Sequence, residues 1–453
     1  MTAKRTREHP TRRNAPAGER GVPRALRALR HRNYRLFFLG QLISLCGTWM
    51  QTVAQSWLVY RLTGSAVLLG LVGFASQIPV FLFAPLGGVV ADRHHRHGVL
   101  LVTQAASMLL ALILAILTLT HVIRVWEIFA LAALLGVANA FDMPTRSAFV
   151  VDMVGRDDLM NAIALNSSIF NGARIVGPAL AGALVAALGE GWCFLLNSLS
   201  YIAVLTGLAL MKLPAHVKLP PPAAPLSHMA EGFRFVARTP PVRALLLLLG
   251  LMSLFGMPYA VLMPIFADRI LHGGVSGLGL LMGSSGVGAL IAALSLAVRN
   301  RLRGLGRWVA FAAAGFGVAI ILFSFSRWFW LSACLLVPAG FAMMVQMAGS
   351  NTLVQAMVPD ALRGRVMSVY SMMFMGMAPF GALLAGSLAQ YFGAPATVAL
   401  GGAVCIAGAA LFALRLPSLS VEAHDIIIAT QLAAGNPVDE MNAASSAAAT
   451  RTS

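Results

Sequence analysis

The chain has 453 residues, of which 58% are apolar and only 11% are charged, and its mean hydropathy is +0.79. This composition would expose too much apolar surface in a water-soluble domain, so it predicts an integral membrane protein. The formal net charge of +17 would indicate nucleic-acid binding in a soluble protein, so the position of that charge along the chain decides what it means. The four cysteines are scattered among apolar segments, which predicts neither a disulfide framework nor a metal site.

Apolar segments long enough to cross a bilayer follow a basic N-terminal segment, residues 1–35, which holds eleven Lys and Arg. They predict an all-α membrane protein of twelve transmembrane helices, arranged as six-helix bundles over residues 36–211 and 242–413. A proline-rich cytoplasmic linker, 212–241, contains one short helix-like run, and an Ala/Ser-rich cytoplasmic tail, 414–453, is expected to be partly disordered. The predicted segments are 36–60, 66–91, 98–120, 125–143, 161–188, 192–211, 242–267, 276–298, 308–325, 329–357, 366–390 and 396–413.

The two halves of the chain are related by a shift of 204 positions without a gap. The pairs that coincide are Met153/Met357, Val154/Val358, Phe170/Phe374, Gly172/Gly376, Gly177/Gly381, Gly182/Gly386 and Gly189/Gly393. A duplication built of hydrophobic spans is typical of secondary transporters, whose substrate site lies between the repeats. No pattern of a catalytic nucleophile or of a phosphate-binding loop is present, so we do not expect an enzyme.

Basic residues alternate between the two sides of the predicted bundle. With both termini inside, the N-terminal segment, the inner connections and the tail hold 28 of the 33 Lys and Arg. The outer connections hold only Arg61, Arg124, Arg269 and Arg327. This asymmetry predicts cytoplasmic termini, and it explains the positive charge by topology without a nucleic-acid partner.

The connection between the second and third segments carries Gly88, Asp92, Arg93 and Arg96. A carboxylate and two guanidiniums on a tight inner turn can hold neighbouring helix ends in one conformation. The run resembles the G-x-x-x-D-R-x-G-R-R signature of the major facilitator superfamily, with His95 at the second glycine and His97 at the last basic residue. The alternative interpretation is a basic loop that only sets the topology.

Further stretches narrow this resemblance to the drug:proton antiporter-3 family, over about residues 24–416. They are LRHRNYRLFFLGQLIS, the turn expected around Asp142, Pro144 and Arg146, the run from Arg174 to Pro178, and Phe255 to Pro258. Gly172, Gly177, Pro178 and Gly182 partly match the exporter motif of helix 5.

The resemblance implies a monomer in the bacterial inner membrane that exports a small amphipathic molecule, such as a siderophore or drug, by alternating access. It also implies proton influx as the energy source and no organic cofactor. Two alternatives stay open: an uptake facilitator of the same fold and a membrane scaffold that transports nothing.

Periodicity suggests which side chains line a substrate path. In the first segment Gln41, Ser44, Thr48, Gln51, Thr52 and Gln55 recur at three- and four-residue steps. Such a polar stripe avoids lipid and therefore lines a cavity or bonds to neighbouring helices. A methionine-rich stretch with Met343, Met347 and Phe374 either adapts to bulky apolar ligands or is plain helix packing.

Arg174 lies about the middle of the fifth segment, and Ala378 replaces it in the second repeat. An arginine at the bilayer centre costs roughly 2.5–3.5 kcal/mol on insertion scales, so it should face the interior of the bundle. Three roles stay open: substrate binding, a structural hydrogen-bond hub, and the proton cycle. No acid lies in the middle of a span, and Asp142 is the nearest candidate for proton binding, unless it is a structural partner of Arg146 or Arg93.

Overall fold

The computed structural model of the chain describes residues 24–212, 225–298 and 304–433, and every regular element in these ranges is a helix. The first half begins with a 3₁₀ helix, Arg24–Arg30, and continues with six long helices. They are α1 (Arg32–Thr63), α2 (Ala66–Arg93), α3 (Arg96–Leu119), α4 (Val125–Val154), α5 (Leu159–Leu188) and α6 (Glu190–Ala209).

A short helix, α7 (Pro225–Arg238), lies in the linker where the sequence predicts one, and residues 213–224 lie outside the described part. The second half follows with α8 (Pro240–Leu251), a π-helical turn Met252–Gly256, a 3₁₀ turn Met257–Ala260, α9 (Met263–Ile265) and a second π-helical turn Phe266–Ile270. The last helices are α10 (Gly274–Val298), α11 (Leu305–Phe325), α12 (Phe329–Met357), α13 (Asp360–Met375) and α14 (Ala378–Ala433).

Eleven stretches of the described chain are long and apolar enough to span a membrane. One is the irregular Pro240–Ile270, and the last is Leu362–Ile428, whose backbone is non-helical at Gly393 (φ 81°, ψ 158°). Division at Gly393 gives two spans there, in agreement with the predicted arrangement of six spans in each half. The protein is therefore a multi-pass, all-helical membrane protein.

Several helices extend beyond the predicted apolar segments. The expected turn around Asp142, Pro144 and Arg146 is wrong, because α4 continues as helix through Val154. Likewise α2 continues through Arg93, so that only His94 and His95 separate it from α3. Apolar composition marks the part of a helix in the hydrocarbon layer, whereas the helix itself continues into its polar surroundings.

The first part of the predicted tail, from residue 414, is helical, since α14 continues as far as Ala433. Pro417 removes one backbone donor without ending the helix. The hydroxyls of Ser418 and Ser420 donate to the carbonyls of Arg415 and Pro417. The rest of the predicted disordered tail, residues 434–453, lies outside the described residues.

The duplication seen in the sequence has a structural counterpart. Gly189 and Gly393, which are 204 positions apart, both adopt positive φ with an extended ψ at the end of a span. A β-carbon on Gly177 would meet Cys46 and Trp49 of α1, and one on Gly381 would meet the backbone of Ser253 and Leu254 in the first span of the second half. Each repeat therefore uses the same glycine position for a close helix approach.

The bundle has two ends, which we call the basic end, after its Lys and Arg residues, and the opposite end. The basic end carries the start of α1, the α2–α3 and α4–α5 connections and the end of α6. The opposite end carries the α1–α2, α3–α4 and α5–α6 connections. The two halves pack against each other mainly through α5 with α10 and through α2 with α14.

Candidate functional site

Hydrogen bonds between the two halves lie at the opposite end. The Tyr60 hydroxyl donates to Asp268 Oδ2 at 2.8 Å, and Arg269 Nη2 donates to the carbonyl of Gly64 at 3.3 Å. The Arg269 guanidinium also lies over the Tyr60 ring, 5.6 Å from its centroid. Nearby, Ser276 donates to the Gly182 carbonyl at 3.4 Å. These contacts connect α1 and α5 to the second half, and we call them the opposite-end contacts.

Glycines bring the halves together at the same end. A β-carbon on Gly70 of α2 would lie 2.4 Å from the carbonyl oxygen of Ala382 and 3.0 Å from Cα of Gly386. On the other side of the bundle, a β-carbon on Gly279 of α10 would lie 2.4 Å from the Pro178 carbonyl oxygen and 3.1 Å from Cα of Gly182. Helix backbones can approach this closely only where side chains are absent.

The contacts between halves extend from the opposite end to about mid-helix. On one side they reach Phe81, which packs on Gly376 and Phe380, and on the other they reach Gly286 against the Arg174 carbonyl. Closer to the basic end, β-carbons on Gly88 and Gly172 would meet no atom within 4 Å. The contacts named here between the halves thus all lie between the opposite end and mid-helix.

The predicted charged signature ties together the first half at the basic end. Arg96 Nη1 donates to both carboxylate oxygens of Asp152 on α4, at 2.9 and 3.0 Å, and its Nε donates to the Ala91 carbonyl. Asp92 lies 3.8 Å from Arg96 and its side chain is 48% exposed, while Arg93 is exposed. In this conformation the clamp between helix ends is therefore Arg96–Asp152, and Asp92 contributes little to it.

Asp142 is the centre of a buried polar network between α1, α3 and α4. It accepts hydrogen bonds from Thr103 Oγ1 at 2.9 Å and Gln104 Nε2 at 2.7 Å, and it forms an ion pair with Arg146. Arg146 Nη1 in turn donates to Gln41 Oε1 at 3.0 Å. This arrangement is the structural partnership with Arg146 that the sequence left open.

The polar stripe of α1 divides into two groups. Gln41 and Gln51 are buried and bond to other helices, Gln41 to Arg146 and Gln51 to Asn197 of α6 at 2.6 Å. Thr48 and Thr52 are exposed and donate to carbonyls of their own helix. Gln55 is half-buried. Gln41 and Gln51 thus bond to neighbouring helices, and lining of a cavity by the exposed members of the stripe stays a prediction.

The methionine-rich stretch is partly ordinary packing. Met343 is buried in the core, and the carbonyl of Met347 accepts a hydrogen bond from the Tyr370 hydroxyl at 2.8 Å. The carbonyl of Phe374 accepts a hydrogen bond from Ser253. Met347 and Phe374 keep half-buried side chains.

Arg174 lies where the two halves meet, and its guanidinium is stacked near Trp49 of α1, with 5.8 Å between its Cζ and the ring centroid. In the described part of the chain no side chain or carbonyl accepts a hydrogen bond from it, and no carboxylate forms an ion pair with it. On α1, Gln41 bonds to Arg146 and Gln51 to Asn197 instead. Of the nearby motif, Gly177 and Pro178 are buried against α1 and α10.

A cluster of ion pairs at the start of α5 was not predicted from the sequence. The carboxylate of Asp158, whose side chain is only 1% exposed, forms ion pairs with Arg30 and His31 at 2.8 Å each and with Arg27 at 3.1 Å. The hydrogen bond from His31, with the charges of Arg30 and Arg27, lowers the pKa of Asp158 below its ordinary value. The 3₁₀ helix is thereby fastened to α5, and Ala28 N–H also donates to Asn161. This part of the basic N-terminal segment thus packs against the protein itself.

A second missed ion pair lies at the opposite end. Arg61 donates to Glu190 through Nε at 2.7 Å and Nη2 at 3.1 Å, which joins α1 to α6. The pair belongs entirely to the first half. It differs in this respect from the Tyr60–Asp268 bond beside it on α1, which crosses between halves.

Comparison with known proteins agrees with this architecture. A family model described as transmembrane secretion effector matches residues 24–444. The chain is 27% identical over 398 residues to the staphyloferrin A transporter of Staphylococcus aureus (strain NCTC 8325 / PS 47), covering 86% of this chain and 98% of that protein. It is 28% identical over 372 residues to the multidrug efflux pump Tap of Mycolicibacterium fortuitum, covering 80% and 90%. It is 27% identical over 362 residues to the enterobactin exporter EntS of Shigella boydii serotype 4 (strain Sb227), covering 79% and 85%.

Solved structures show the same fold at low sequence identity. The nucleoside transporter NupG gives a TM-score of 0.66 at 14% identity, covering 84% of this chain and 98% of that one. A POT family transporter gives 0.70 at 11% identity, covering 86% and 96%. The protein is a membrane transporter of small molecules rather than an enzyme, and the chain belongs to the transmembrane secretion effector family of the major facilitator superfamily.

Proposed function

We propose that this protein exports a small amphipathic molecule, a siderophore or a drug, from the cytoplasm by alternating access coupled to proton influx. Three relatives support this class of cargo: a staphyloferrin A transporter, a multidrug efflux pump and an enterobactin exporter. The membrane is the bacterial inner membrane, and the working unit is a monomer.

The contrast between the two ends of the bundle carries this proposal. Tyr60–Asp268 and the close approach of Gly70 to Gly386 join the halves at the opposite end, whereas the contacts named at the basic end, Arg96–Asp152 and those of Asp158, lie within the first half. The excess of Lys and Arg assigns the basic end to the cytoplasm. The conformation is then open to the side from which an exporter takes its cargo.

The first half is also tied internally, as rigid-body alternation requires of each half. Arg96–Asp152, the Asp142 network and Arg61–Glu190 all lie within the first half, and none of them has to break when the halves move. The opposite-end contacts cross between halves and have to break before cargo can leave on that side.

Proton coupling is the part of the proposal that is drawn mainly from the resemblance to the drug:proton antiporter-3 family. Asp142 is our candidate for the proton-binding carboxylate, because it is buried and all of its described partners are donors or cations. A proton can replace the Arg146 charge only if Arg146 moves away, which links protonation to a change of conformation. Asp142→Asn should therefore uncouple export from the pH gradient.

Reporter fusions test the orientation. Fusions after Arg61 and Arg269 should report an external location, and fusions after Arg96, Lys218 and Arg303 an internal one. A cytoplasmic signal after Arg61 or Arg269 would contradict the assignment of the basic end to the cytoplasm.

Everted membrane vesicles test the direction and the energy source. Vesicles that contain the protein and are energised by respiration should accumulate a fluorescent amphipathic probe, either 8-anilinonaphthalene-1-sulfonate or ethidium, and nigericin should release it. Vesicles without the protein are the control. Protein-dependent movement of probe out of the vesicle lumen would indicate an uptake facilitator, and an absence of any protein-dependent flux would favour the scaffold.

A further inference from the structure

We propose that Arg174, Trp49 and Phe170 form a binding site for an organic anion that combines one carboxylate-like pair of oxygens with an aromatic body. This proposal rests on the export function above, because it names the class of molecule that the exporter binds. It is carried by the position of Arg174, its lack of a protein partner and the aromatic side chains beside it.

The position of Arg174 is central in two senses. It lies about halfway along α5, and a β-carbon on Gly286 of α10 would lie 3.1 Å from its carbonyl oxygen, so its backbone forms part of the contact between halves. Its side chain reaches Trp49 of α1. A ligand held by this side chain lies beside the contact between the halves, where alternating access can expose it to either side.

The Arg174 guanidinium differs from three other guanidiniums of the first half. Arg61 donates to Glu190, Arg96 to Asp152 and Arg146 to Asp142, so each has a carboxylate. Within the described ranges, Arg174 has the Trp49 ring and no hydrogen-bond acceptor. A guanidinium presents five N–H donors in a planar fork that matches two oxygens of one anionic group. The free fork therefore points to a planar oxyanion as ligand.

The side chains beside the guanidinium select the rest of the ligand. Trp49 and Phe170 form an edge-to-face pair with 5.7 Å between ring centroids. Phe170 is 46% exposed. Phe170 and Arg174 are four residues apart on α5 and so share one helix face. An aromatic body can pack on these rings while its oxyanion meets the guanidinium.

The charge balance limits the ligand to one anionic group at this position. Ala378 replaces Arg174 in the second repeat, so the duplication supplies no second cation at this depth. A second charge on the ligand would be buried without a partner, which is strongly unfavourable in a low-dielectric site. A polyanion is therefore disfavoured relative to a monoanion.

Binding measured on the purified full-length protein separates this proposal from transport. The probes are 1-naphthoate, an aromatic carboxylate, and 1-naphthamide, its neutral counterpart of nearly equal shape, titrated calorimetrically in detergent at pH 7.5. The parent protein should bind 1-naphthoate at least tenfold more tightly than 1-naphthamide. Arg174→Gln should weaken 1-naphthoate at least tenfold and change 1-naphthamide less than twofold, and Arg174→Lys should weaken 1-naphthoate about threefold.

Two further variants complete the test. Trp49→Leu should weaken both probes to a similar extent, since it removes the aromatic wall and keeps the charge. Arg307→Gln, which removes an exposed arginine of α11, should leave both affinities unchanged. Equal loss of both probes in Arg174→Gln, or no 1-naphthoate binding by the parent, would overturn the site. If probe efflux from vesicles persisted in either case, the export function would stand without it.

Discussion

The two ends of the bundle use polar side chains in different ways. At the opposite end, Tyr60–Asp268 and Arg269–Gly64 join residues more than 200 positions apart, one from each half. At the basic end, Arg96–Asp152 and the partners of Asp158 connect helices of one half only. The contacts at the opposite end stabilise one conformation of the two halves, whereas those at the basic end stabilise the first half itself.

This difference indicates which contacts limit the transport cycle. A change in an intra-half contact alters the stability of the fold in every conformation. A change in a cross-half contact alters only the balance between conformations, because the contact exists in one of them. Substitutions at the two ends should therefore separate into effects on stability and effects on rate, and the following predictions test that separation.

The largest effect is expected from Gly70→Ala. The added methyl would lie 2.4 Å from the Ala382 carbonyl oxygen, which belongs to the other half, so the clash exists only while the opposite end is closed. Overpacking of this kind costs about 1–3 kcal/mol, which is roughly a five- to 150-fold shift toward the state with that end open. Export by everted vesicles should fall at least fivefold at unchanged thermal stability.

Gly315→Ala is the control, because its added methyl would meet nothing within 4 Å. It should leave both export and stability unchanged. If Gly70→Ala also exports normally, the close approach of α2 to α14 is not part of the cycle, and the comparison between the two ends fails.

A smaller shift toward the state with the opposite end open is expected from Asp268→Ala or Tyr60→Phe. Asp268→Ala removes the acceptor and Tyr60→Phe the donor of one hydrogen bond at that end, worth about 1 kcal/mol for a half-exposed group, or roughly fivefold in population. A cysteine at Thr52, an exposed residue of α1, should react faster with an impermeant thiol reagent added from outside. The four native cysteines are replaced first.

The double variant provides the control for this prediction. Because both single changes break the same bond, the double variant Tyr60→Phe with Asp268→Ala should label no faster than either single variant. Additive effects would mean that the two side chains act independently and that their bond does not hold the end closed.

The fold was predictable from the sequence because its signals are local or repeated. Apolar runs mark the spans, the 204-residue shift reveals the two repeats, and Gly177 and Gly182 recur where helices approach closely. Helix ends were less predictable: Asp142 and Arg146 end an apolar run, yet they lie inside α4.

The partners of charged residues were mostly not predictable. Asp142–Arg146 spans one helical turn and could be proposed from spacing, but Trp49–Arg174 and Tyr60–Asp268 join residues that no periodicity relates. Asp158 and its basic partners are 127 or more positions apart. Such pairs depend on how helices are arranged in three dimensions, which one sequence does not encode in its spacing.

At the basic end, Asp152→Asn and Asp92→Asn should have different effects. Asp152 binds Arg96 within the first half, so its loss should lower the unfolding free energy by roughly 0.2–1 kcal/mol. Asp92 is half-exposed and 3.8 Å from Arg96, so Asp92→Asn should leave thermal stability unchanged. The family resemblance implies that Asp92 clamps helix ends when the basic end closes, so export should still fall. Unchanged export at equal membrane levels would reduce the signature to a topology signal.

The smallest effect is expected at Asp158 and depends on pH. Hydrogen bonding from His31, with the charges of Arg30 and Arg27, lowers the Asp158 pKa from its ordinary value of 3.8. A carboxyl whose folded-state pKa is lowered stabilises the fold above its unfolded pKa, and this contribution disappears as the pH falls through the folded value. Asp158→Asn should therefore lower the melting temperature of the detergent-purified protein at pH 7, and the difference from the parent should shrink progressively below about pH 4. Asp157→Asn, which alters the exposed neighbouring carboxylate, should change the melting temperature at neither pH. A difference between the parent and Asp158→Asn that stays constant from pH 7 to pH 3 would show that packing of this side chain, rather than its charge, fastens the N-terminal 3₁₀ helix to α5.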